Sequence, residues 1–258
     1  MAIHDLTSER LFVDTALAQG ARVELNEDQA RYLVNVLRSK IGAVVLVFNG
    51  RDGEWRARLA ETKKRSAVLD VLEQTRPQID GPDIDYLFAP LKHARLDYMV
   101  QKAVEMGVAK LAPVLTRRTV PDRINLERMR ANAIEAAEQC GILRVPEIVE
   151  PRPLAKVLES WDAKRTLIFC DEGDDAMSPL NTLTGVRPGP LAVLVGPEGG
   201  FSGEERELLR TKPYVVALSL GPRIMRADTA AVAALALINA TLGDWGGDCG
   251  GNWSGEKK

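Results

Sequence analysis

Two short segments near the C-terminus carry the residue types best suited to bind a ligand. Residues 194–202 and residues 218–230 each join an apolar, strand-like run to a Gly-Pro turn and then to a helical pattern. Glycine removes Cβ obstruction and proline fixes φ, so a ligand at such a turn can contact main-chain N–H and C=O groups. Two strand ends that open into such loops can form one crevice. A plain strand-to-helix turn explains the first segment equally well when it is taken alone.

Few ionisable side chains lie in these segments. Glu198 can either stabilise the N-terminus of the following helix or act as an acid or base. Arg223 and Arg226 can hold a phosphate or a carbonyl oxygen. The structural alternative is that Asp228 caps the last helix and pairs with Arg226. The chain contains neither Gly-x-Gly-x-x-Gly nor Gly-Lys, which argues against dinucleotide and nucleoside-triphosphate chemistry.

The charge balance restricts any nucleic-acid role to local patches. The 258 residues are 45% hydrophobic and 27% charged, with a net charge of −2. One local run has five arginines and only two acidic residues, Asp122 and Glu127. The arginines are Arg117, Arg118, Arg123, Arg128 and Arg130. A second basic set lies near the N-terminus, at Arg31, Arg38, Arg56, Arg58, Lys63, Lys64 and Arg65. Each run is either a solvated face or a phosphate-binding patch.

Cysteine and histidine usage indicates the compartment and argues against a metal site. The three cysteines are widely spaced, which favours a reducing environment over a disulfide framework. There are only two histidines and no Cys-x-x-Cys, so no zinc site is expected. The N-terminus has no signal-peptide pattern, and the longest apolar run is too short to span a bilayer. We therefore expect a soluble cytoplasmic protein without a metal or membrane partner.

The elements that must position the two segments follow from hydrophobic periodicity. Residues 1–74 are strand-rich, which predicts a small β-barrel; the expected elements are a helix at 27–38 and strands at 43–48, 54–59 and 66–72. Residues 75–82 contain Pro77, Gly81 and Pro82 and form the predicted linker. Residues 246–258 are predicted to be a flexible tail.

Residues 83–245 alternate between strand and helix patterns. Strands are expected at 86–89, 111–115, 166–170, 191–195 and 215–220. Helices are expected to include 96–104, 126–140, 202–210 and 229–242, with Asn125 and Ser202 as N-caps. This alternation predicts an α/β domain with a largely parallel sheet.

Several ordered motifs then resemble one known family. They are VGPEGG at 195–200, LGPRIMR at 220–226, QKAVEMGV at 101–108, Arg117-Arg118, EAAEQC at 135–140 with RVP at 144–146, and YLVNVLR at 32–38 with FNG at 48–50. Together they resemble the RsmE-type methyltransferases of the SPOUT superfamily. The resemblance runs from about residue 10 to residue 243.

The resemblance implies a fold and a reaction. The fold would be an N-terminal PUA-like β-barrel and a C-terminal α/β SPOUT domain with a deep trefoil knot. The reaction would be methyl transfer from S-adenosylmethionine to N3 of a uridine in 16S ribosomal RNA of the small ribosomal subunit. Members of the family act as homodimers.

The resemblance also assigns roles to residues. Main-chain groups would hold the cofactor at Leu194, Gly196, Gly199, Leu218, Leu220, Gly221 and Met225. Arg226 would stabilise the negative charge that develops on the uracil oxygens or hold the adjacent phosphate, and Glu198 or Asp228 would accept the N3 proton. RNA contacts would come from Arg38, Arg117, Arg118 and Arg144.

This chain departs from the family pattern at two places, and two alternatives stay open. Ala227-Asp228 stands where the family usually has Thr-Glu, and Asn35 stands where histidine is frequent. One alternative is a SPOUT methyltransferase that acts on another RNA such as tRNA. The other is an RNA-binding ribosome assembly factor without catalysis. A nicotinamide enzyme is a weaker third possibility because the glycine fingerprint is missing.

Overall fold

The computed structural model describes residues 8–63, 65–120, 123–171 and 178–245. Lys64 and Asp122 of the basic runs, and the tail predicted at 246–258, lie outside the described residues. The chain divides into two compact units. One comprises the residues up to Asp80 together with Ile134–Val145, and the other comprises Gly81–Ala133 and the residues from Pro146 onwards. The linear boundary at 75–82 stays a prediction.

The first unit contains one five-stranded sheet. Its strands are β1 (Arg10–Phe12), β2 (Arg22–Leu25), β3 (Val44–Phe48), β4 (Glu54–Thr62) and β5 (Ala67–Arg76), in the order β1-β3-β4-β5-β2. The β1–β3 pair is parallel and the other pairs are antiparallel. The predicted helix is α1 (Glu27–Arg31), which continues as a π-helical turn over Tyr32–Val36. The three expected strands are confirmed; β1 and β2 were not expected because three or four residues carry little periodicity.

Local sequence signals explain how this unit is connected. Asn26 and Gln29 form a capping box that starts α1. Gly50 and Gly53, in the turn between β3 and β4, both have positive φ. A Cβ at Gly53 would lie 2.3 Å from the carbonyl oxygen of Arg76, so only glycine fits there.

An ion cluster is buried within the first unit. Glu54 is 3% exposed and bonds to two arginines: its Oε2 lies 3.0 Å from Arg10 Nε and 2.5 Å from Arg76 Nη2. Burial raises the pKa of Glu54, but hydrogen bonds from Arg76, Thr75 and Arg10 outweigh burial and lower it below its ordinary value. The cluster therefore requires the ionised carboxylate.

The second unit alternates strands and helices as expected. Its elements are β6 (Ile84–Phe88), α2 (His93–Glu105), β7 (Lys110–Leu115), α3 (Leu126–Cys140), β8 (Glu147–Ile148), β9 (Arg152–Pro153), α4 (Leu154–Glu159), β10 (Thr166–Cys170), α5 (Pro179–Thr184), β11 (Leu191–Val195), α6 (Gly203–Arg210), β12 (Val215–Leu218) and α7 (Ala227–Thr241). Helix α3 begins in this unit, and its residues from Ile134 belong to the first. The strand order is β12-β10-β11-β6-β7-β8, every pair is parallel, and β9 pairs with β7.

The parallel register fixes where the two glycine-containing loops lie. Phe169 of β10 pairs with Leu194 of β11 and with Ala217 of β12. The carboxyl ends of these three strands therefore meet at one edge of the sheet. β11 is buried along its whole length, which explains its uninterrupted apolar sequence.

Several boundaries differ from the expected ones. β12 ends at Leu218 rather than residue 220, and α7 begins at Ala227 rather than residue 229. The apolar face of α3 is buried at Met129 and Ala133, but Cys140 at its end is exposed. The two-residue strands β8 and β9 and the six-residue helices α4 and α5 were not expected. Among the described residues, none of the helices combines the length and the hydropathy needed to cross a membrane.

The buried ion cluster predicts a large effect of one neutral substitution. Glu54→Gln keeps the side-chain shape but removes the charge that two buried guanidinium groups share, so we expect a loss of about 3–5 kcal/mol in the free energy of unfolding. Urea unfolding at pH 7 measures it. The matched control on the same strand is Glu61→Gln, whose ion pair with Arg22 is exposed and which should unfold like the wild type.

Acidification provides an internal check on this prediction. Because the folded-state pKa of Glu54 is lowered, its contribution is complete above the pKa of the unfolded chain and is lost as pH falls through the folded-state pKa. The gap between wild type and Glu54→Gln should therefore narrow in acid. A loss below 1 kcal/mol at pH 7 would show that the cluster is not required for stability.

Candidate functional site

One pocket lies at the carboxyl ends of β10, β11 and β12. It contains about 790 Å³ of empty space when the open mouth is counted. Its lining comes from three strand ends, the loops after them and the start of α7: Cys170, Asp171, Val195, Gly196, Pro197, Glu198, Phe201, Leu218, Leu220, Gly221, Pro222, Arg223, Ile224, Met225, Ala227 and Ala230. We call residues 196–202 the first loop and residues 219–226 the second loop.

The first loop is a tight turn packed onto the core. The N–H of Gly200 donates to the carbonyl of Pro197 at 2.8 Å. A Cβ at Gly196 would lie 2.5 Å from the ring of Phe201, which packs edge-on against Phe169 with ring centroids 4.9 Å apart. The loop ends at Ser202, which caps α6 through the predicted capping box. Gly196 is therefore required by packing as well as by access for a ligand.

The second loop is more exposed. Gly221 has a φ of +100°, a conformation that favours glycine. Ile224 is 91% exposed, whereas the side chain of Met225 is half-buried and lines the pocket. Arg226 directly precedes α7, and its carbonyl accepts the first helical hydrogen bond, from Ala230 at 2.8 Å. The guanidinium of Arg226 is exposed at the end of this loop.

Three acidic side chains lie in or beside the site. Glu198 is 58% exposed and forms an ion pair with Arg95 of α2. Asp228 is the second residue of α7 rather than its N-cap, and its Oδ1 accepts a hydrogen bond from the N–H of Thr229 in the first turn at 3.0 Å. Asp171 follows β10 directly and its side chain is fully buried.

Two arginines of α6 compensate the charge of Asp171. Its Oδ2 accepts from Arg210 Nη2 at 2.7 Å, and its Oδ1 lies 3.4 Å from Arg206 Nε. Sequence reasoning missed Asp171; the available signal was an acidic residue immediately after a buried apolar strand. Arg95 was also missed, because its partner Glu198 is about a hundred residues away in the chain.

Two further polar side chains, Cys170 and Arg223, line the pocket. Burial raises the pKa of the Cys170 thiol to about 12, so the thiol stays protonated near neutral pH and is not an activated nucleophile. Within the described ranges, no group of three or more His, Cys, Asp or Glu side chains is arranged to hold a metal ion. The pocket wall therefore combines apolar side chains with the polar side chains of Cys170, Asp171, Glu198 and Arg223.

The structure brings most of the predicted ligand-binding residues together. Gly196, Leu218, Leu220, Gly221 and Met225 line the pocket. Leu194 is fully buried one residue below the lining, and Gly199 lies outside it, with its carbonyl bonded to Arg118.

The predicted catalytic and RNA-binding residues are more dispersed. Among the predicted catalytic residues, only Glu198 lines the pocket. Arg226 and Asp228 are the sequence neighbours of Ala227, which is itself a lining residue. Arg117 and Arg118 contact α6 and the first loop. Arg38 and Arg144 belong to the first unit; Arg38 is exposed and has a positive φ of 55°.

Comparison with known proteins agrees with this fold. Residues 80–239 match the family model of the RNA methyltransferase domain, and residues 25–72 match that of the RNA methyltransferase PUA domain. Two curated relatives are named ribosomal RNA small subunit methyltransferase E. The one from Rickettsia conorii is 29% identical over 89% of this chain and 94% of its own length. The one from Synechocystis is 32% identical over 86% of this chain and 74% of its own length.

Solved structures give the same grouping. A ribosomal RNA small subunit methyltransferase E from Neisseria gonorrhoeae, bound to S-adenosylmethionine, superposes with a TM-score of 0.84 at 27% identity, covering 92% of this chain and 99% of that one. A putative methyltransferase from Legionella pneumophila, also with bound S-adenosylmethionine, superposes with a TM-score of 0.81 at 28% identity and the same coverage.

These matches define an enzyme class with a SPOUT methyltransferase fold and a PUA-like N-terminal domain. The chain belongs to the RNA methyltransferase family. The family membership and the enzyme class expected from the sequence motifs are confirmed.

Packing around the first loop predicts that two of its three glycines, Gly196 and Gly199, tolerate substitution differently. Gly196→Ala forces a Cβ into the ring of Phe201, so we expect a loss of roughly 1–3 kcal/mol and a drop of several degrees in Tm. Gly199→Ala is the matched control, because its Cβ would meet Arg118 Cδ at 3.5 Å, an ordinary contact. Thermal unfolding of both variants checks this. Equal Tm values would show that Phe201 can move aside.

Proposed function

We propose that this chain transfers a methyl group from S-adenosylmethionine to N3 of a uridine in 16S ribosomal RNA of the small ribosomal subunit. The observation that carries the proposal is the pocket between the first and second loops, at the strand ends of a chain that belongs to the RNA methyltransferase family. The two solved neighbours with bound S-adenosylmethionine and the names of the curated relatives support the cofactor and the RNA.

The residues of the pocket fit this cofactor. Val195, Leu218 and Ala230 provide apolar surface for an adenine ring, and main-chain groups of the two loops offer neutral hydrogen-bonding partners. Cofactor contacts are assigned to main-chain groups at Leu194, Gly196, Gly199, Leu218, Leu220, Gly221 and Met225. When bound, S-adenosylmethionine supplies a methyl group already activated by its sulfonium charge.

The protein's own task is then to activate the uracil. N3 carries a proton and becomes nucleophilic as that proton leaves, which places negative charge on the flanking carbonyl oxygens. The exposed guanidinium of Arg226, at the end of the second loop, is assigned to stabilise that charge or to hold the adjacent phosphate. N3 is on the Watson–Crick edge, so the target base must be unpaired or flipped out.

Two carboxylates are candidates to accept the N3 proton. Glu198 lines the pocket, and its carboxylate forms an ion pair with Arg95. Asp228 is in the first turn of α7, beside the pocket residue Ala227. The position of Glu198 in the lining favours it.

RNA binding is assigned to basic side chains in both units. They are Arg38 and Arg144 of the first unit and Arg117 and Arg118 of the second. The match of residues 25–72 to a PUA domain model supports an RNA-binding role for the first unit. Their contribution would be largely electrostatic and therefore salt-dependent.

We also propose the finer features of the family for this chain: a closed barrel in the first unit, a deep trefoil knot in the second, a homodimer and a cytoplasmic location. The strand order supports the knot. β10 lies between β11 and β12, so the chain continues from β10 to β11 on one side and then returns past β10 to form β12 on the other side. Helix α7 supports the dimer, because its apolar residues Val232, Ala233, Ala236 and Leu237 stay partly exposed.

Methylation of isolated subunits tests the function directly. Purified protein, labelled S-adenosylmethionine and small subunits from cells that lack this enzyme should yield a single N3-methyluridine in 16S RNA, mapped by mass spectrometry. Transfer to tRNA instead would indicate a different substrate for the same chemistry. Cofactor binding without transfer to any RNA would indicate an assembly factor.

Arg226 can be tested apart from cofactor binding. Arg226→Ala is expected to reduce the methylation rate about 10²–10³-fold, because the charge developing on the base loses its stabilising donor. Affinity for S-adenosylmethionine should stay within about twofold, since the proposed cofactor contacts are main-chain groups, and Arg226→Lys should be intermediate. Single-turnover methylation and calorimetry provide the two measurements. Full activity of Arg226→Ala would refute this role.

A further inference from the structure

Two arginines hold the first loop from outside, one from a neighbouring loop and one from a neighbouring helix. Arg118, in the loop after β7, donates from Nη1 to the carbonyl oxygen of Gly199 at 2.6 Å. Arg95, in the first turn of α2, forms an ion pair with Glu198. These contacts fall on consecutive residues of the loop.

A third contact fixes the end of the same loop. The main-chain N–H of Arg117 donates to Glu205 Oε1 at 2.8 Å, and Glu205 Oε2 accepts from the N–H of Ser202 at 2.8 Å. The guanidinium of Arg117 also lies 2.6 Å from Glu204. One carboxylate therefore connects the start of α6 to the loop after β7.

Sheet order explains why these contacts form. β6 lies between β11 and β7, so the loops that follow the three strands share one edge of the sheet. Gly199 and Gly200 have no side chains with which to fix their own conformation, and glycine loses more backbone freedom on ordering than any other residue. Hydrogen bonds from outside the loop are an effective way to restrict it.

We propose that Arg118 and Arg95 are positioning residues, which hold the first loop in the conformation that receives the cofactor before any RNA is bound. This inference rests on the proposed function, because it assumes that S-adenosylmethionine occupies the pocket. Arg118 was expected to contact RNA. Its guanidinium instead donates a hydrogen bond to the Gly199 carbonyl, and we assign it to the positioning of the loop. Loop preorganisation reduces the ordering cost of binding, so its loss weakens affinity.

Calorimetry without RNA tests the inference. Arg118→Met removes every donor but keeps most of the aliphatic stem, and we expect it to raise the Kd for S-adenosylmethionine about tenfold. Arg118→Lys retains one donor for the carbonyl and should bind within about threefold of wild type. Arg95→Ala should raise the Kd about threefold, because its ion pair is exposed.

The matched control is Arg187→Met, which removes the same charge from an exposed position between α5 and β11 and should bind like the wild type. All variants should keep the wild-type Tm within about 2 °C. Unchanged cofactor affinity of Arg118→Met, or equal weakening by Arg118→Lys and Arg118→Met, would overturn the positioning role and leave the proposed function intact. No binding by the wild type would overturn the proposed function itself and this inference with it.

Discussion

The parallel hydrogen-bonded ladder of β11, β10 and β12 is the constraint on which the site depends. Because β10 lies between the other two strands in parallel register, the turns after residues 195 and 218 emerge at the same edge of the sheet. These turns are separated by more than twenty residues in sequence, and neither forms a pocket alone. β11 is buried along its whole length, as is typical of a strand in a parallel sheet covered on both faces.

The pocket divides its work between main chain and side chains. Glycine at positions 196 and 221 exposes main-chain groups, and the apolar strand ends provide a surface suited to a neutral ring. The one fully buried carboxylate at the wall, Asp171, is compensated by Arg206 and Arg210 of α6. The arginines around the first loop supply the rigidity that its glycines lack.

Sequence patterns predicted the structural features that depend on residues close together in the chain. The buried face of α2, the Asn125 cap of α3 and the capping box at Ser202 all appeared as expected, because each depends on residues within one or two helical turns. The short strands β1, β2, β8 and β9 escaped prediction because two to four residues carry little periodicity. The pairs Arg95–Glu198 and Asp171–Arg210 escaped it because sheet topology, rather than sequence spacing, brings them together. The family motifs supplied the fold and cofactor expectations that periodicity alone does not give.

The position of the cofactor site is tested most directly by a crystal structure of the chain soaked with S-adenosylmethionine. We expect density for the adenine and the methionine between the first and second loops, with hydrogen bonds to main-chain groups near Gly196, Leu220 and Met225. The Gly199 carbonyl should still accept from Arg118 in that complex. Density for the cofactor at any other place on the chain, with the pocket at the ends of β10, β11 and β12 empty, would contradict this expectation.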